Sequence, residues 1–522
     1  MEFKANILPL IPYPQEVRFL SGVFVWSHQL TIDSRISPAE IQLFLDSIPA
    51  QLRPQLQEGP ENSCVSFHRD PTFRKEAYEL KILPQQRIEI VAADSTGLFY
   101  ALQTLRQLIL ADDQPGVHSV SLACVHILDE PRFAWRGFML DEARHFQGMQ
   151  TVKDLLDWMA YLKLNTFHWH LSDDQGWRME IKQYPRLIEI AANRPASQVS
   201  GFLGKKLNQT PHSGYYTQDE IQDIIHYAAA RHIQIVPEIE MPGHALAALA
   251  AYPELGCRTG PYQVSPHWGI HADILCGGKP GTTTFLLNVL DEVVDLFPGG
   301  YIHTGGDEAP KKRWRNCPDC QKLARENGLT KINQLQTILT NRVSQFLNAR
   351  GRILIGWNEM LADNLDPDAV VQYWVGKEKT LVQHIRSGRK AILSNFAAYY
   401  LDHSYAHSPL DKVYQYEPVF DRLEPEYHKN ILGIETPLWT EFIPSRQRLD
   451  WQVFPRLFAV AETAWLEPHK KDLTSFHQRL TSLLNQLNAD HIGYALLIDA
   501  NPSWFKQLSG PVTLLQSGQG TQ

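Results

Sequence analysis

From Trp135 onward the chain settles into one repeated rhythm: a short apolar run, a loop, then a segment with helical spacing. The runs fall at 137–141, 166–171, 234–238, 301–304, 353–357, 370–374, 391–394 and 431–434, and 151–164, 217–231, 284–296, 332–350 and 377–386 read as helices. The segment 151–164 opens on Thr151-x-x-Asp154 and sets Leu155, Leu156, Met159 and Leu162 on one face. The segment 217–231 opens on a capping box, Thr217-x-x-Glu220. Strands that alternate with helices pair in parallel through right-handed crossovers. Eight such units favour an α/β fold of the (β/α)8 TIM-barrel type over an open doubly wound sheet. No Gly-x-Gly-x-x-Gly follows the first run, which also disfavours a dinucleotide fold.

The residues before the barrel, 1–131, have a different pattern. Alternation over 87–92 (RIEIVA) reads as a strand and 97–110 as an amphipathic helix, so this part is expected to be a small α+β domain. Asp129-Glu130-Pro131 marks its end, because a residue before proline is pushed away from helix. The barrel is expected over 132–465. The remainder, 466–522, carries a helix near 475–488 and is expected to pack on the barrel.

A barrel of this kind gathers its chemistry at the C-terminal ends of its strands. Those ends supply Arg144 and His145, Asp173 and Asp174, Glu240 and His244, and Asp307 and Glu308. Trp357 and Glu359, Trp374, Tyr400 and Asp402, and Trp439 and Glu441 follow from the later strands. Carboxylates and tryptophans without a lysine suit a neutral polyol better than a phosphate. A formal charge of −8 offers no basic face for nucleic acid or anionic lipid. The expected partners are therefore small carbohydrates, with no nucleic acid and no membrane; the oligomeric state is left open.

Cleaving a glycosidic bond needs a proton donor at the leaving oxygen and a group that stabilises an oxocarbenium-like transition state. Glu308 can be the donor where burial favours its protonated form, and Asp307 is expected to stay ionised beside it. Gly305 and Gly306 allow the sharp backbone path that brings both neighbours to one pocket.

The segment His303-Thr-Gly-Gly-Asp-Glu308 resembles the catalytic segment of the family-20 glycoside hydrolases, the β-N-acetylhexosaminidases. Arg136-Gly-Phe-Met-Leu-Asp-Glu-Ala-Arg-His145 resembles the family's first strand. His168-Trp-His-Leu-Ser-Asp-Asp-Gln-Gly-Trp-Arg178 and Pro237-Glu-Ile-Glu-Met-Pro-Gly-His244 are similar to the second and third, and Gly356-Trp-Asn-Glu359 and Glu435-Thr-Pro-Leu-Trp-Thr-Glu441 to later ones. The resemblance implies an exo-acting enzyme on terminal N-acetyl-hexosaminides that uses no cofactor. The substrate's acetamido oxygen attacks the anomeric carbon, giving an oxazolinium intermediate and retention. Asp307 then orients the acetamido N–H, Glu308 is general acid and later base, and Tyr400 bonds the acetamido oxygen. Trp357, Trp374 and Trp439 wall the pocket, and Arg144, Asp173, His244, Asp402 and Glu441 bind hydroxyls or brace the groups that do. Two departures stand out: Glu240 where the family commonly has Asp, and a short segment between Tyr400 and Tyr414 without the tryptophan that often lines the aglycone side.

Two other readings stay open. One is a barrel that binds sugar without turning it over. The other is a zinc-dependent barrel hydrolase built on His168, His170, His244 and His303, against which stand histidines that brace Asp173 and Glu308. Cys317-Pro-Asp-Cys320 lacks the second Cys-x-x-Cys of a zinc site, so no metal is assigned. Cys257 and Cys276 flank a Gly/Pro-rich loop and can pair in an oxidising compartment. The proline-interrupted N-terminal stretch does not read as a signal segment, so free thiols and a cytoplasmic location are expected.

Overall fold

The computed structural model describes residues 7–33, 38–59, 63–111, 117–376 and 378–509; the first residue of the expected 377–386 helix and the end of the C-terminal segment, 510–522, lie outside them. Eight parallel strands close a barrel in chain order: Trp135–Asp141, Thr166–His170, Gln234–Glu238, Tyr301–His303, Ile353–Trp357, Val370–Tyr373, Ala391–Leu393 and Ile431–Leu438. The last pairs with the first, Glu435 opposite Gly137, which completes the ring. The first strand, WRGFMLD, is buried at every position because helices cover it outside and other strands' side chains meet it inside. The α/β barrel expected from the strand–helix rhythm is therefore the fold.

Side chains from strands that are not neighbours can meet only across the barrel interior. Trp135 of the first strand meets Tyr301 of the fourth, ring centroids 5.3 Å apart, and Val236, Ile355, Val370 and Ile392 complete an apolar plug. Two residues further along the third and fourth strands, Val236 and Tyr301 give way to Glu238 and His303. The interior there is polar: His303 Nδ1 lies 2.6 Å from Glu238 Oε1, and His168 Nδ1 lies 2.7 Å from Glu435 Oε1. Buried acids are tolerable only when paired in this way.

Before the barrel, a seven-stranded mixed sheet carries the helices Pro38–Asp46 and Ser95–Leu110. Asp94 caps the second helix, accepting from the Gly97 N–H at 2.8 Å, and that helix is buried on most of its surface between the sheet and the barrel helix Met149–Tyr161. Two buried ion pairs cross to the barrel: Lys163 Nζ to Asp129 Oδ2 at 3.0 Å, and Arg136 Nη2 to Glu76 Oε2 at 2.9 Å. After the barrel, helix Leu473–Ala489 is pinned by Arg479, whose Nη1 is 2.6 Å from Glu462 Oε2. No helix among the described residues is long and apolar enough to cross a membrane.

One local expectation is corrected. Thr217 forms the capping box with Glu220, but Thr151 is not a cap. The helix begins at Met149 after Gly148, and the Thr151 hydroxyl donates back to the Gln147 carbonyl at 3.1 Å. A threonine inside a helix can bond the i−4 carbonyl in this way instead of capping. The helix also ends at Tyr161, leaving Leu162 as a buried residue just past it.

Candidate active site

The fourth barrel strand ends at His303 and the chain turns sharply toward Glu308. Gly305 and Gly306 take left-handed φ values of 62° and 103°. A Cβ on Gly305 would sit 1.8 Å from Glu240 Oε2, so only glycine fits above that buried carboxylate. The turn is pinned from outside by Gln336, whose Nε2 donates to the Gly306 carbonyl at 2.6 Å. Glu308 itself has φ 41° and His244 φ 48°. Side chains rarely adopt this region, and such strain is held where the surroundings over-determine it, commonly at functional sites.

Asp307 and Glu308 face a cavity of about 620 Å³, within the size range of small-molecule sites. Trp357, Trp374, Tyr400 and Trp439 form its aromatic lining, and Arg144, His244, Asp402 and Glu441 add polar groups. Trp357 is fixed by its indole N–H to Glu238 Oε1 at 2.9 Å, and Trp374 by its own to Glu359 Oε2 at 3.1 Å. Trp374 and Tyr400 lie at 26° with centroids 6.1 Å apart, and the Trp439 indole bonds Tyr400. The Arg144 guanidinium rests 4.9 Å from the Trp439 ring centre, held by Asp173 Oδ2 at 2.7 Å and Gln175 Oε1 at 3.0 Å. Among the described residues, His244 Nε2, Asp307 Oδ1 and Asp402 Oδ1 are buried without a hydrogen-bond partner. Each belongs to a side chain on the cavity wall, and buried polar atoms left open in this way are the ones a ligand can satisfy.

Charge in the site departs from the sequence expectation. Burial falls on Asp307, whose side chain is 12% exposed, rather than on Glu308 at 34%. It pushes Asp307 up to about 7 against the pull of His244, so Asp307 is not held firmly ionised at neutral pH. His244 moves the other way: burial opposes its charge, yet the carboxylates of Asp173 and Asp307 outweigh that and hold it well above the ordinary histidine range. Burial, with the charge of Glu441 added, raises Asp402 to about 8. Groups perturbed in this way and gathered in one cleft mark a functional site.

Other expected residues fall elsewhere. Asp173 does not reach the cavity; it sits behind the wall, 3.2 Å from His244 Nδ1 as well as against Arg144, and is held well below the usual carboxylate range despite burial. His145 turns to Thr440, and Asp174 contacts His244 at 3.2 Å. His168 and His170 brace Glu238, Glu435 and Asp173, not Glu308. With His303 they surround Glu238 inside the barrel, beneath Trp357 and off the cavity wall. A metal held by His168, Glu238 and His303 would not meet a molecule in the cavity. Glu238 was missed because an acid inside an apolar strand carries no spacing signal. Phe202, Leu203, Ile270 and Phe442, which line the cavity's outer part, come from irregular loops with no periodicity to read.

The catalytic-domain model of glycosyl hydrolase family 20 matches residues 133–468, and the model of that family's domain 2 matches residues 8–130. A β-hexosaminidase of Porphyromonas gingivalis is 36% identical over 517 residues, a stretch covering 94% of this chain and 65% of the relative, so the chain spans slightly under two thirds of that protein. Among solved structures, an exo β-N-acetylglucosaminidase of Vibrio harveyi in complex with N-acetylglucosamine superposes with a TM-score of 0.84 at 32% identity, over 95% of this chain and 80% of that one. A β-N-acetylhexosaminidase of Bacteroides fragilis gives 0.82 at 32% identity, over 96% and 99%.

Proposed function

The chain belongs to glycosyl hydrolase family 20, and from that premise we propose that it is an exo-acting, retaining β-N-acetylhexosaminidase. It removes terminal N-acetyl-glucosamine or -galactosamine by substrate-assisted hydrolysis. The observation that carries this reading is the meeting of Asp307, Glu308 and Tyr400 in one aromatic-lined cavity. All the residues lining that cavity fall within 132–465, so the chemistry is assigned to the barrel and the units on either side are accessory to it.

In the first step the acetamido oxygen attacks the anomeric carbon as the glycosidic bond breaks, and Glu308 gives its proton to the departing oxygen. The Asp307 carboxylate accepts the acetamido N–H and balances the positive charge that develops on the oxazolinium ring. Tyr400 donates its hydroxyl hydrogen to the acetamido oxygen and holds it in line for attack, which lowers the entropic part of the barrier. Glu308, now a carboxylate, takes a proton from water, and the water oxygen opens the ring at the anomeric carbon. Two displacements on opposite faces leave the configuration retained.

Arg144, with both Asp173 and Gln175 fixing its fork, is assigned to hydroxyls of the terminal sugar, along with Asp402 and Glu441. Asp173 and His244 act as braces for that set. Trp357, Trp374 and Trp439 supply flat apolar faces to the sugar ring. A panel of p-nitrophenyl glycosides tests the whole reading. The N-acetyl-β-glucosaminide and -galactosaminide should be cleaved and the plain β-glucoside should not. Efficient cleavage of the plain glucoside would sink substrate assistance, and no release from any N-acetyl donor between pH 4 and 8 would make the barrel a sugar-binding protein.

A further inference from the structure

Four of the six cysteines converge although the sequence scatters them over more than sixty positions. Cys257 and Cys276 lie on the excursion after the third barrel strand, and Cys317 and Cys320 begin helix Pro318–Glu326 in the excursion after the fourth. The sulfur of Cys276 is 3.5 Å from that of Cys320 and 3.7 Å from that of Cys317, and Cys257 and Cys320 are 3.8 Å apart. All four sulfurs lie within 4.8 Å of one another. A tetrahedral tetrathiolate with bonds of about 2.3 Å requires sulfurs roughly 3.8 Å apart. A disulfide requires about 2.05 Å and joins two sulfurs, whereas the Cys276 sulfur contacts those of Cys257, Cys317 and Cys320.

The surroundings match a closed metal site. Three of the four cysteines are buried, and Ile274, Trp314 and Leu335 form the dry shell around them. The backbone N–H of Gly278 donates to the Cys276 sulfur. A Cβ on Gly278 would meet the Asp319 carbonyl carbon at 2.2 Å, so glycine is what lets the two excursions touch here.

We propose that Cys257, Cys276, Cys317 and Cys320 bind one structural zinc ion that staples the third and fourth strand-end loops together. The four thiols lose their protons as the ion enters, giving a closed tetrathiolate with no open position for chemistry. The reading without a metal rested on the lack of a second Cys-x-x-Cys, but the fold supplies the missing pair from two residues far apart in sequence. The staple reaches the active site in short steps. The Trp314 indole donates to the Leu275 carbonyl at 2.9 Å, the Leu275 N–H donates to Pro242 at 2.9 Å, and Ala309, next to Glu308, packs on the cysteine cluster. Zinc therefore fixes the segment that bears Glu240 and His244 against the one that bears Asp307 and Glu308.

The test is metal analysis of the full chain purified without chelator from zinc-supplemented culture. About one zinc per chain is expected, released by a mercurial thiol reagent and replaceable by cobalt with the intense visible bands of a tetrahedral thiolate centre. Cys320→Ser should lose at least three quarters of its zinc and melt at a lower temperature, while Cys64→Ser, outside the cluster, should keep both. If Cys320→Ser does not fold, the zinc content and cobalt spectrum of the unaltered chain decide. Zinc-free protein with all four cluster thiols free, two disulfides in the intact mass, or iron in place of zinc would each overturn the assignment.

Discussion

His244 sets its Nε2 3.6 Å from Asp307 Oδ2, too far for a good hydrogen bond but close enough for its charge to govern the carboxylate. Burial drives Asp307 up to about 7, and His244 is the strongest influence holding it down. On the proposed mechanism the acetamido N–H needs a carboxylate acceptor, so kcat/KM should fall as pH drops through about 7, since that ratio reports the free enzyme. His244→Asn removes the restraining charge and should move this acid limb to higher pH. A pH–rate profile of both proteins on one substrate checks the shift; an unmoved or acid-shifted limb contradicts the coupling.

Glu308→Gln keeps the size of the side chain and removes its proton chemistry. General acid catalysis contributes roughly 10²–10⁴-fold, and that loss is expected on substrates with poor leaving groups. With a leaving group that needs no proton, such as a dinitrophenolate, the deficit should shrink. Equal losses on both kinds of substrate would show that Glu308 acts by positioning alone.

Tyr400→Phe leaves the ring against Trp374 and Phe396 and deletes the hydroxyl. Loss of an oriented attacking group should lower kcat by roughly 10²-fold with little change in KM. A rise in KM at constant kcat would instead make the hydroxyl a simple binding contact.

Arg144→Lys preserves charge and loses the fork that meets Asp173 and Gln175 at once. The ammonium cannot make both bonds and also lie over Trp439, so kcat/KM should drop by roughly 10–100-fold, as for about 2 kcal/mol of charged hydrogen bonding. The same substrates assayed at saturation separate this from a stability defect, because folded variant should keep most of its kcat.

The barrel was legible because parallel strands buried on both sides must read as apolar runs, and WRGFMLD does so with its polar residues at strand positions that point to partners. The strand-end rule then reached the cavity: of the groups it singled out, Arg144, His244, Asp307, Glu308, Trp357, Trp374, Tyr400, Asp402, Trp439 and Glu441 all line it. What stayed hidden depends on contacts between segments distant in sequence. Asp173 and Arg144 are equivalent as strand-end polar residues, and only the fold puts one behind the wall and the other in it. Thr151 could cap or back-bond, and Gly148 decided the outcome from outside the motif. Cys257 and Cys276 suggested a mutual pair, and only the fold brings Cys317 and Cys320 to the same point.

The histidines around Glu238 carry a stability consequence that their chemistry alone does not suggest. Burial disfavours their charge, but Glu435 and Glu238 raise His168 to about 9, and Glu238 and Asp173 raise His170 to about 10. Unfolded histidine titrates near 6.5. The folded state therefore holds protons that the unfolded state releases between pH 6.5 and about 10, and stability must fall as pH rises through that window. The contribution is fully present below pH 6.5 and gone once both rings are neutral. His170→Asn should melt lower than the parent chain at pH 6.5, yet lose less with rising pH, so the two Tm curves converge toward pH 10. Melting curves collected by circular dichroism at intervals across this range test the point. Parallel curves would mean that His170 is neutral in the folded protein and that Glu238 is held by hydrogen bonds rather than by charge.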